Sequence, residues 1–217
     1  MAKKRNTTSE ILAKRDRLYR RRSIQQQIAE RIKLLQAAFA AIQKTDKVAR
    51  EELLRYFPIG LVAVIEFFFR DMVRGFIDEG AADIGRVRKF VEKVEIETAF
   101  DIGRRKLTIG DYIAHRIPLN SLDDINIVMS ALLEKDFLGE IKKAQHTGMQ
   151  VFGDKHVKAV ITLFEVRHIF CHELASKHQI KAGEVTSFMA SVRQFFAATE
   201  MYIYAEDYPG SLGWSFL

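Results

Sequence analysis

Apolar residues return every three or four positions along the early part of this chain, at Ile24, Ile28, Ile32, Leu35, Phe39 and Ile42. That step matches the helical repeat of about 3.6 residues and predicts a long amphipathic helix with its basic half at the start. Thr7 and Glu10, just before Ile11 and Leu12, have the spacing of a capping box. Pro58 stands where a first helical turn tolerates proline, and Ile59 to about Ile77 reads as a second helix. That helix is apolar nearly all round, so it is expected in the core. Ile84, Val87, Val91 and Val94 suggest a third helix, although Val94-Glu95-Ile96-Glu97 alternates like a strand. Thr108 with Asp111 and Ser121 with Asp124 mark two more helix starts, the second helix running to about Lys135. Gly148 and Gly153 mark a loop, and Asp154 starts a helix to about Ser176. Gly183 separates it from a last helix ending near Ala205, and Tyr208 to Leu217 reads as irregular.

Composition narrows the class. Three prolines and twelve glycines in 217 residues are too few for a strand-rich fold, which needs a turn about every ten residues. The expectation is an all-α chain, with a basic N-terminal helix or arm over 1–45, a helical bundle over 46–206 and an irregular tail over 207–217. The longest apolar run, Ile59 to Phe69, is eleven residues long and contains Glu66. It is too short to span a bilayer, so no membrane partner is expected. The opening Met1-Ala2-Lys3-Lys4-Arg5 lacks the apolar stretch of a signal peptide. A single cysteine, Cys171, excludes an intramolecular disulfide and fits a reducing, cytoplasmic setting. Its apolar neighbours make it read as packed.

Charge is unevenly placed. The chain carries a net +6, yet residues 1–22 alone hold nine Lys/Arg against two acids, leaving the rest close to neutral. Such a segment, Arg20, Arg21 and Arg22 included, attracts phosphates. The plainer alternative is a solvated arm that aids solubility.

The chain has no phosphate-binding glycine loop, no Cys-x-x-Cys pair and no Gly-x-Ser-x-Gly elbow. His172-Glu173 opens a zinc-protease pattern that fails at residue 176, a serine. His168 and His172 are four apart and could share a metal, but without an evident third ligand no metal or other cofactor is expected. On a wheel of about 100° per residue, Val160, Leu163, Phe170, Cys171 and Leu174 share a broad apolar sector with Arg167 in its middle. A guanidinium there is costly unless it meets an acid, a phosphate or a groove at an interface. Glu66, inside the run Val62 to Phe69, has the same difficulty with the opposite sign, and the two could pair. His172 alone reads as an ordinary exposed histidine.

The segment Arg167-His168-Ile169-Phe170-Cys171-His172 resembles the Arg-x4-His motif of the HEPN superfamily, including a polar residue directly after the arginine. Its place late in a long penultimate helix fits that family, and the helix Phe57 to Ile77, with an acid amid aromatics, is similar to an early core helix of it. In arrangement the resemblance covers roughly residues 50–205; in specific sequence it covers six residues. It implies a HEPN-like bundle that forms a homodimer with two motifs facing across a cleft. It further implies a metal-independent endoribonuclease in which the RNA 2′-hydroxyl attacks, leaving a cyclic phosphate and a free 5′-hydroxyl. His172, with an ordinary pKa of about 6.5, would move the proton. Arg167 would fork onto the phosphate, with His168 and Glu66 in support and Arg20, Arg21 and Arg22 holding the strand. Five helical positions set Arg167 and His172 about 140° apart, so one phosphate requires a helix end, a distortion or two subunits. A toxin or defence setting with an antitoxin partner is a further implication. Leu174 stands where toxins paired with a nucleotidyltransferase antitoxin carry tyrosine, which puts that modification in doubt. Two other readings stay open: a non-catalytic HEPN-like module binding RNA or protein, and a helical scaffold in which Arg167 merely neutralises Glu66.

Overall fold

The computed structural model describes residues 24–82, 84–90, 94, 96–104, 107–146, 149–172 and 178–205. Arg20, Arg21, Arg22, Leu174 and the tail 207–217 lie outside the described residues. The helices run in the order α1 (Ile24–Ile42), α2 (Lys47–Leu54), α3 (Tyr56–Asp78), α4 (Ile84–Val87), a 3-10 turn (Arg88–Phe90), α5 (Ile96–Gly103), α6 (Ile109–Arg116), α7 (Leu122–Leu133) and α8 (Phe137–Ile141). A short antiparallel pair follows, Gln145–His146 against Met149–Gln150, and then α9 (Asp154–His172) and α10 (Ala182–Ala205). The class is all-α. No helix among the described residues is long and apolar enough to cross a membrane.

α3 sits at the centre. Pro58 is buried in its first turn, and Phe57, Leu61, Val62, Ile65, Phe68, Phe69, Val73 and Phe76 are buried along its length. A helix apolar on so much of its circumference must be surrounded, and α1, α2, α6, α7, α9 and α10 all pack on it. Aromatic rings bind the layers: Phe68 stacks on Phe196 of α10 at 4.3 Å, Phe69 meets Phe195 at 5.0 Å, and Phe195 stacks on Phe152 at 4.9 Å. α1 presents Ile28, Leu35 and Ile42 to this core, so the second half of the segment 1–45 packs into the bundle.

Local signals decide most boundaries. Thr108 and Asp111 form a reciprocal capping box at α6, and the Ser121 hydroxyl accepts from Asp124 N at α7. α7 stops at Leu133 rather than Lys135, because Glu134 turns left-handed at φ 55°. Arg86 holds that end, donating to Leu132 O at 3.0 Å and pairing with Glu134 at 3.1 Å.

Some expectations fail. Among the described residues, the third helix read from Ile84 is a single turn followed by a 3-10 turn to Phe90, and Ile96 and Glu97, read as part of a strand-like alternation, begin α5. The apolar residues here report the core only in part: Phe90 and Ile102 pack against it, while Val94, Ile96 and Phe100 are exposed. Gly183 lies in the first turn of α10 rather than before it.

α6 lies so close to α3 that only glycine fits at 110. Gly110 N donates to Asp78 Oδ1 at 2.8 Å, and a Cβ at this position would fall 2.6 Å from Arg74 O and from Asp78 Cγ. Gly110→Ala is therefore expected to cost about 1–3 kcal/mol of overpacking. Gly75→Ala, inside α3 with nothing within 4 Å of the added Cβ, is expected to stabilise by up to about 1 kcal/mol through helix propensity. Urea unfolding of the two variants beside the parent checks both signs.

Candidate functional site: a charged cluster and a histidine pair on one helix

Arg167 and Glu66 meet where α9 crosses α3. Val160, Leu163, Phe164 and Val166 bury the inner face of α9, and Arg167 extends from this face towards α3. Its Nη2 lies 3.5 Å from Glu66 Oε1, with the two side chains 25% and 22% exposed. That separation is an ion pair without hydrogen-bond contact, and Glu66 Oε1 is buried with no hydrogen-bond partner among the described residues. Water reaches both groups only partly, so their attraction is less screened than that of a surface pair.

A second guanidinium, Arg70, shares this carboxylate. Burial pushes the Arg70 pKa below its ordinary value, and the negative charge of Glu66 pulls it back up. One turn beyond Glu66, Arg70 directs its Nη1 at the end of α6, where it donates to Ala114 O, to His115 O at 3.4 Å and to Ile117 O at 3.2 Å. These carbonyls include groups left without helical partners at a C-terminus, and a cation there also suits the helix dipole. Arg70 thus joins α6, α3 and the Glu66–Arg167 pair. It was missed in the sequence because an arginine four residues after a glutamate reads as a helix-surface pair. The trio carries two positive charges against one, leaving a partly buried positive excess.

The imidazoles stand elsewhere. α9 is helical without interruption to His172, so the side chains of Arg167 and His172 leave the axis about 140° apart and about 7.5 Å apart along it. Arg167 faces α3; His168 and His172 are exposed, with ring centroids 4.8 Å apart. The structure therefore joins Glu66 to Arg167 and His168 to His172, and it does not join the two pairs within one chain. Cys171 is exposed, against the expectation of a packed thiol. In the last described turn of α9 Phe170 is half-buried against the core while Cys171 beside it is exposed, so apolar sequence neighbours no longer imply burial. Among the described residues, no group of three or more His, Cys, Asp or Glu is arranged to hold a metal.

If the partly buried carboxylate is held by these arginines, removing its charge leaves them to repel each other. Glu66→Gln is expected to lower stability by about 1–3 kcal/mol, less than for a fully buried pair. Glu66→Gln with Arg167→Gln is expected to lose less than the sum of the two single changes. Denaturant unfolding of the four chains reads this coupling.

The chain matches no family model, no curated protein and no solved structure, so these two faces of α9 carry the functional reading on their own geometry.

Proposed function

We propose that this protein is a HEPN-type endoribonuclease that cleaves RNA by attack of the 2′-hydroxyl on the adjacent phosphodiester. The observation that carries the reading is Arg167 and His172 at the Arg-x4-His spacing late in the penultimate long helix, with the arginine oriented by Glu66 of the central helix. RNA brings its own nucleophile, so the protein has only to move protons and stabilise charge. His172 is exposed and supplies an imidazole for the proton transfers. Arg167 supplies a planar fork for the phosphate oxygens and favours the charge that gathers on them.

Because the two groups leave α9 on different sides, the proposed site is completed by a second copy of the chain, whose motif faces the first across a cleft. Arg167 then exchanges part of its interaction with Glu66 for the substrate phosphate, and His168 lines the same cleft. The basic residues Arg20, Arg21 and Arg22 hold the strand. A toxin or defence role, with an antitoxin partner, belongs to this reading through the family likeness alone.

A specific feature favours a second reading. Arg167 is already partnered by Glu66. A non-catalytic HEPN-like module would use the same surfaces to bind RNA or protein without turnover.

Cleavage of a mixed RNA pool in excess chelator separates the two. On the first reading the parent chain cuts, and His172→Ala and Arg167→Ala each slow cutting by about 100-fold or more. If both variants cut as fast as the parent, the assignment is lost. Binding that weakens steeply with salt, with no product at any enzyme concentration, instead marks the second.

A further inference from the structure

The outer face of α9 offers chemistry separate from the charged cluster. Glu165, His168, Cys171 and His172 are all exposed along it. His168 and His172 are one turn apart, within an unbroken helix, with ring centroids 4.8 Å apart and ring planes inclined at 44°.

We infer that His168 and His172 together chelate a divalent transition-metal ion of the zinc, nickel or copper class. Metal–nitrogen bonds of about 2.0–2.1 Å from two imidazoles, at ligand angles of about 90–110°, place the ring centroids about 4.5–5.2 Å apart. The observed spacing lies inside that interval. The helix fixes the backbone of both ligands before the ion arrives, so little ordering opposes binding. Both rings are exposed, so the ion enters without opening the fold. Imidazole suits zinc, copper and nickel, whereas magnesium and calcium demand oxygen donors that this pair lacks. With two protein ligands, water fills the remaining positions. Arg167 leaves α9 about 100° from His168 and about 140° from His172, towards Glu66 of α3.

His172 is shared with the proposed cleavage, which is assayed in chelator, so metal binding is read separately from it. The test is calorimetric titration of the tag-free, chelator-stripped full chain with zinc chloride, and with magnesium chloride in parallel. The parent is expected to show a zinc-binding phase and no magnesium binding. His168→Ala and His172→Ala should each weaken the zinc phase at least about tenfold, because losing a ligand costs no less than losing a group that merely orients one. Cys171→Ser should leave it in place. Circular dichroism of each variant confirms that these surface changes keep the helical fold. Zinc affinity unchanged in the His168→Ala/His172→Ala double variant would overturn the inference. So would a zinc phase that falls with Cys171→Ser but not with either histidine change.

Discussion

α3 has almost no face to give to water, and the rest of the molecule is arranged around that constraint. Twelve of its 23 residues are buried, so neighbours must cover it on nearly every side. The few charges it carries are then forced into specific partnerships. Asp71 is buried and clasped by Arg74, at 3.0 Å and 2.6 Å. Arg70 is turned onto the carbonyls that end α6, and Glu66 is met by Arg167 from α9. Each such contact tethers a neighbouring helix or stiffens α3 itself. The polar atoms of the central helix therefore determine how α6 and α9 sit, while the phenylalanines supply most of the burial.

Where burial and periodicity coincide, the sequence was sufficient to read the fold. Ile28, Leu35 and Ile42 lie on one stripe and pack inward. The run after Pro58 is a core helix because nothing in it can face solvent for long, and the caps at Thr108 and Ser121 fall where their side chains satisfy free amides. Between 84 and 104 that link breaks. Ile96 and Phe100 are exposed at 73% and 63%, so their spacing encodes a local helix but not its relation to a core. Cys171 fails for the same reason at the far end of α9.

The candidate site was legible in part. A charge on an apolar stripe demands compensation, and the pairing of Arg167 with Glu66 follows from two such demands of opposite sign. Arg70 was not legible, because its role depends on the position of the α6 carbonyls, which only the folded chain brings near. Spacing did put His168 and His172 one turn apart and Arg167 on the apolar stripe, and the folded chain keeps both arrangements. A metal ion held by that imidazole pair would occupy the nitrogen lone pair through which His172 is proposed to accept a proton. On the proposed reading, the loaded and the cutting forms of the protein are mutually exclusive.

The unbroken course of α9 from Asp154 to His172 has a kinetic consequence. On the proposed reading, a reaction that needs both the guanidinium and the imidazole at one atom becomes a property of two chains, not one. Its rate then scales with the square of protein concentration in the dilute limit and vanishes as association is lost. A chain lacking only the arginine, mixed with a chain lacking only the histidine, would assemble one intact composite centre out of two defective parents. The straightness of a single helix would thus be visible as complementation between alleles.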